Sequence, residues 1–263
     1  MNAALGLLLQ TFLSHMPSPG RFIRFALIMF PLGLVITSIA SFGIWWWKRT
    51  QVEERSYGYA LALRREMTVQ ALDRYSSILR EVMQPEGLER LAAVASFMDS
   101  SMSAENMGYD PRRDRFFHGG LEVSNVEVEI TGKPRWQEIT LVLAPYGDLT
   151  RKEAEVQALA GLMSLGHAMT GERRDATVRL AAVPLGVMDP NGQTAMERLG
   201  SVMFGRTERV MRVIALGGVG EEVLSQIRNA FRADQSGSVI EVLPATASLE
   251  ATLQSMNALK ARL

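Results

Sequence analysis

The chain carries few side chains suited to chemistry, so their placement matters more than their number. It has no cysteine, which removes thiol nucleophiles, thiolate metal sites and disulfides. Its histidines, His15, His118 and His167, stand far apart, and no two share the i,i+4 spacing with which one helix face holds zinc. No Gly-x-Ser-x-Gly sequence occurs, so the serine-hydrolase nucleophile elbow has no support. Carboxylates are common, and the informative ones lie where an apolar run breaks into a turn. LVLAPYGD, Leu141 to Asp148, is such a place: a buried strand leading into Pro145, Tyr146, Gly147 and Asp148. Strand ends of this kind carry the sites of many α/β proteins. GGVGEE, Gly217 to Glu222, is a second, and it faintly matches a phosphate-cradling turn. The third glycine of the dinucleotide fingerprint is missing, and Glu221 and Glu222 would repel a phosphate. The plainer reading is a strand-to-helix turn whose acids complement the helix dipole. RRDRFFHGG is a third, with Arg113, Arg115, Phe116, Phe117 and His118 forming a candidate partner-binding loop of hot-spot residue types. A basic loop with its phenylalanines turned inwards is the alternative.

The elements that would position these residues follow from periodicity. Residues 50–83 lack proline and have one glycine, Gly58, and read as a linking helix. Pro85-Glu86 starts a second helix running to about Ser100, and residues 101–120 read as a loop. NVEVEI, Asn125 to Ile130, alternates as a half-exposed strand near a sheet edge, pairing as a hairpin with EITLVLA. Lys152–Thr170, Glu221–Ala233 and Ser248–Arg262 read as helices; ATVRLAAV, RVMRVIAL and SVIEVL as strands. Strands alternating with helices predict a three-layer α/β domain with a mostly parallel central sheet and an antiparallel edge hairpin, over residues 50–263.

Ahead of that domain, residues 25–47 read FALIMFPLGLVITSIASFGIWWW, without a charge. A helix of that length reaches about 35 Å, enough to cross a bilayer. Trp45, Trp46 and Trp47 are placed like an interfacial belt, and Gly33 and Gly43 are small enough to admit a partner helix. The run is longer than a signal-peptide core and ends without a small-residue cleavage site, which favours an uncleaved single-pass anchor. Residues 1–20 form a short apolar segment expected to lie in the interface. Net charge is zero, and with no basic run nucleic acid is not an expected partner.

The order helix, loop, alternating strand, turn, LVLAPYGD resembles the opening of the di-zinc aminopeptidase family. Its members include bacterial leucyl aminopeptidases, glutaminyl cyclase and the protease-like domain of the transferrin receptor. ATVRLAAV resembles the family's next central strand, and the likeness runs from about Leu79 to Leu216. In that family the strand matching LVLAPYGD ends in Ala-His-Tyr-Asp, whose His binds zinc; Pro145 stands in its place here. The loop that supplies the bridging Asp is reduced to Asp148-Leu149-Thr150-Arg151. Where the family has Glu-Glu, this chain has Pro184-Leu185-Gly186, and where an Asp ligand follows the next strand it has Gly217. The resemblance therefore implies the scaffold without its metal pair: no catalytic residue, no metal, no cofactor, and a vestigial cleft at Pro145, Tyr146, Asp148, Pro184 and Gly217. The expected role is an accessory or scaffold subunit of an integral membrane complex, held in the lipid bilayer with its soluble domain extracytoplasmic (periplasmic). The flanking charges alone slightly favour the cytoplasm; the habit of the family weighs the other way. The alternatives are an anchored metallo-aminopeptidase-like hydrolase with an atypical site, and a peptide-binding module.

Overall fold

The computed structural model of the chain describes residues 19–205, 207–232 and 238–263. The proposed interfacial segment falls almost wholly outside them. Two compact units are present, Met1–Ser56 and Tyr57–Leu263. The first contains most of helix α1, Pro19–Leu63. Pro19 sits in its first turn, where a missing N–H costs nothing, and Pro31 lies inside it. Its stretch Met29–Arg49 has the length and composition of a membrane span or a signal sequence, and none of it is buried within the chain.

The second unit is an α/β domain. Helices α2 (Val69–Val82) and α3 (Gly87–Met102) precede strands β1 (Arg112–His118), β2 (Leu121–Ile130) and β3 (Arg135–Tyr146). A single 3-10 turn, Leu149–Arg151, leads into α4 (Lys152–Met169), followed by β4 (Ala176–Pro184) and α5 (Ala195–Val202). Strand β5 (Arg209–Ala215), α6 (Glu221–Arg232), β6 (Val239–Val242) and α7 (Leu249–Arg262) complete it. The sheet has the order β1-β2-β4-β3-β5-β6. β3, β4, β5 and β6 run parallel, and β1 and β2 form the antiparallel edge.

The layers follow from side-chain alternation along β4, which is buried on both faces. Leu180 points to α4, its Cδ1 lying 3.4 Å from where a Cβ on Gly166 would stand. Arg179 points the other way, donating to the Met203 carbonyl just after α5 at 3.1 Å. Helix α4 is the buried spine of one face: from Val156 to Met169 all but Gln157 are buried. Such a helix is apolar all round because it lies between the sheet and the flanking α2 and α7.

Four sequence expectations are corrected here. NVEVEI is not half exposed, because Glu127 is wholly buried and β1 covers the edge of β2. It does not pair with β3 either; β4 lies between them, so the hairpin is β1–β2. Residues 112–118, read as loop, are that edge strand. The linking helix 50–83 breaks at residues 64–68, and Thr68 caps a new helix by accepting from Ala71 N at 3.1 Å.

The buried charge of β2 is matched across the strands. Arg112 stands opposite Glu127, and Glu129 opposite Arg179. Arg179, fully buried, pairs with Glu129 at 2.9 Å, Glu208 at 2.6 Å and Glu127 at 3.4 Å, and its guanidinium stacks 4.8 Å from the Phe204 ring centre. Burial pushes the Glu127 carboxyl above the usual carboxylate range, against the pull of Arg179 and Arg112. Removing one partner of a buried pair leaves the other charge uncompensated, so Arg179→Met is expected to cost about 3–5 kcal/mol at pH 7. A carboxyl with a raised folded pKa stabilises below its unfolded value and loses that as pH rises through the folded one. The penalty of Arg179→Met should therefore shrink at pH 5, where Glu127 can take a proton; denaturant melts at both pH values check it.

Candidate functional site

The C-terminal ends of β3, β4 and β5 meet at one edge of the sheet, where open parallel sheets place their ligands. Pro145 lies opposite Val183 and beyond the last β3–β5 pair, Leu143 with Ala215, so its missing donor costs no bond to β5. Tyr146 pairs with Pro184, and the Tyr146 carbonyl accepts from Leu185 N at 2.6 Å. The Tyr146 side chain is buried, its hydroxyl 3.4 Å from the Leu91 carbonyl, and burial pushes the phenol well up. Gly147 turns the chain with φ +120, and a Cβ there would meet the Leu185 carbonyl at 3.1 Å. Arg90, itself buried, donates to the Gly147 carbonyl at 3.3 Å.

Asp148 then caps the 3-10 turn, its carboxylate accepting from Thr150 N at 2.9 Å and from the Thr150 hydroxyl at 2.7 Å. Those bonds hold it below the usual carboxylate range. Behind it Glu155, in the first turn of α4, accepts from Asp148 N at 2.6 Å. Burial raises Glu155, and the backbone donors of Gly147 and Asp148 offset part of the rise. Arg151 reaches across the opening and donates to the carbonyls of Gly217 and Gly218, just past β5. Gly217, at φ +82, lets the chain pass 3.2 Å from the Ala154 carbonyl, measured from a built Cβ. The space left among Pro145, Asp148, Arg151, Glu155, Leu185 and Gly217 is about 20 Å³, room for a single water.

The five residues assigned to the cleft from the sequence all lie at these strand ends; Pro145, Asp148 and Gly217 line the remaining space, and Tyr146 and Pro184 do not. Arg151 and Glu155, which tie the cleft shut, were missed by the sequence reading. Their signal was weak: an arginine and a glutamate within one turn of a helix start. Among the described residues, no three or more His, Asp or Glu side chains gather where they could hold a metal ion.

The arginine–phenylalanine segment lies on the edge strand β1. Arg113 is paired with Asp99 and Arg115 with Glu122 at 3.6 Å. Phe116 is buried beneath Arg198, whose guanidinium lies 5.1 Å from its ring, so it is not an external anchor. Phe117 is 60% exposed, and His118 Nδ1 lies 2.9 Å from the Met188 carbonyl. In the first unit Trp45, Trp46 and Trp47 are exposed, Phe42 touches the first two rings, and Arg49 lies over Trp45 at 5.4 Å. Gly33 and Gly43 have open space where a Cβ would be.

No family model and no curated protein matches the chain in sequence. Among solved structures, a protein from Bacteroides vulgatus described as a candidate zinc-dependent exopeptidase is similar over 75% of this chain and 96% of its own, at 8% identity and TM-score 0.49. Glutaminyl cyclase from Tannerella forsythia is similar over 73% and 81%, at 7% identity and TM-score 0.44. A leucine aminopeptidase precursor from Bacteroides thetaiotaomicron is similar over 74% and 84%, at 9% identity and TM-score 0.44.

The Arg151 bridge fastens the loop after β3 to the loop after β5. Hydrogen bonds from a charged donor contribute about 1.5–3 kcal/mol. Arg151→Ala is expected to lose that amount in urea melts, with faster amide exchange at Gly217 and Gly218 than in the parent chain.

Proposed function

We propose that the chain is a non-catalytic, membrane-anchored subunit whose aminopeptidase-like domain serves as an accessory or scaffold module of a larger membrane complex. One observation carries the reading. At the strand ends, three of the four positions that the family resemblance assigns to a zinc ligand or base hold residues without a donor side chain, namely Pro145, the Pro184-Leu185-Gly186 stretch and Gly217, and the fourth, the loop of the bridging Asp, is shortened to Asp148-Leu149-Thr150-Arg151. A zinc pair needs several oxygen or nitrogen donors and an open position for water. The two carboxylates nearby do not fit that need. Asp148 is committed to Thr150, and Glu155 to the Asp148 N–H. The Arg151 guanidinium adds a positive charge where a cation pair would stand.

The cleft volume argues against the alternatives as well. About 20 Å³ admits neither a scissile peptide nor the side chain of a captured one. A domain with a closed cleft and an anchor acts by being held next to something. Here the apolar run Met29–Arg49 supplies the anchor, and its exposed tryptophans suit the interface of a bilayer. Most members of the resembled family work outside the cytoplasm, which is why the reading puts the soluble domain on that side.

Extraction in a mild detergent followed by sizing with light scattering tests the proposal. A particle well above the 29.1 kDa chain plus its micelle, with other polypeptides in stoichiometric amount, is the expected result; a lone monomer would count against it. In parallel, the purified chain dialysed against zinc should retain less than one ion per chain and hydrolyse no aminoacyl arylamide. Stoichiometric zinc with turnover would restore the enzyme reading.

A further inference from the structure

A polar hollow floored by a hydrogen-bonded relay lies at the other end of α4, away from the closed cleft. Glu155 and His167 are twelve residues apart on that helix, about 18 Å along its axis. The hollow holds about 430 Å³, the size of a small-molecule site. Its floor is a chain of hydrogen bonds: the Tyr75 hydroxyl bonds His167 Nδ1, and His167 Nε2 lies 3.2 Å from the Asn106 carbonyl. That carbonyl accepts only, so Nε2 carries the proton and Nδ1 accepts from Tyr75. Both ring nitrogens are used, and burial holds His167 below its ordinary pKa, so the floor is neutral and fixed.

The charge sits on the rim. Arg65 and Arg74 both line the hollow, both are exposed, and neither has an ion-pair partner among the described residues. The Arg65 backbone N–H is tied to the His167 carbonyl at 3.3 Å, which keeps the side chain at this rim. Glu66 is the only acid lining it. Glu172 is already shared by Arg64 at 2.5 Å, Arg174 at 2.6 Å and Lys260 at 2.9 Å. Gln70 and Ser101 add neutral donors, while Ile78, Phe97 and Met107 form an apolar wall.

We propose that this hollow binds a small organic anion, a phosphate or carboxylate whose charged end is gripped by Arg65 and Arg74 and whose apolar part lies against Ile78, Phe97 and Met107. Two guanidiniums lining one hollow offer donors for anionic oxygens, and the wall selects a ligand with carbon attached. The source is a free metabolite or the headgroup of a lipid; the chemistry is the same. This site is independent of the cleft, and it stands whether or not the domain is catalytic.

Calorimetric titration of the full chain in nonionic detergent tests it, with phenyl phosphate as the probe and inorganic phosphate as the comparison. The expected result is one phenyl phosphate per chain at a dissociation constant of about 1 mM or tighter, with inorganic phosphate at least tenfold weaker. Arg65→Gln and Arg74→Gln should each weaken phenyl phosphate about tenfold while the melting temperature holds, since both side chains are exposed. Glu66→Gln should tighten it. Competition by dihexanoyl-phosphatidylglycerol stronger than by phenyl phosphate supports a lipid headgroup as the natural ligand; weaker competition supports a free anion. Absence of saturable binding up to about 10 mM, or affinities unchanged in both arginine variants, overturns the proposal.

Discussion

A guanidinium buried inside a sheet has to be neutralised where it stands, because the interior offers no water to do it. Arg179 imposes that demand at the middle of this domain. It sits on β4, the strand between β2 and β3, and draws carboxylates from β2 and from the segment leading into β5. Glu127 in turn holds Arg112 of β1. A single charged residue thereby fixes the register of the antiparallel edge, the path of the chain after α5 through Met203 and Phe204, and the approach to β5. An apolar residue would pack as well there and specify less. Of the carboxylate oxygens in this cluster, Glu127 Oε2 is buried without a hydrogen-bond partner, in keeping with the raised pKa of that group.

That network also explains where the sequence could be read and where it could not. The central strands and the long buried helix were legible because their apolar runs have no other home. β2 was recognised as a strand but given the wrong surroundings. Alternating Glu127 and Glu129 look solvated until the distant Arg179 supplies their counter-charge, and that pairing is fifty residues away in sequence. β1 was missed altogether, since RRDRFFH reads as polar loop when its ion partners Asp99, Glu122 and Glu127 are not yet in view. The break at residues 64–68 did have a local signal, the cap residue Thr68, overlooked inside a long helix-favouring stretch.

The strand-end cleft shows the same division. That Pro145, Tyr146, Asp148, Pro184 and Gly217 lie at strand ends and turns could be read from the chain alone, because such places announce themselves through proline and glycine. What closes the cleft was not legible. Arg151 acts through two carbonyls of a loop more than sixty residues on, and Glu155 through an N–H seven residues back. Backbone acceptors leave no trace in residue identity, so a side chain that serves them looks like any surface charge.

The edge strand β1 has one more effect. An open strand exposes unpaired amide and carbonyl groups that invite another chain to add itself, and long flat apolar edges are where fibrils start. Here that border is seven residues long, three of them arginine, and the opposite border, β6, is only four. A neighbouring copy laying its own β1 alongside would set like charges against each other. Where many copies crowd together and collide often, such rims keep them from knitting into one continuous sheet.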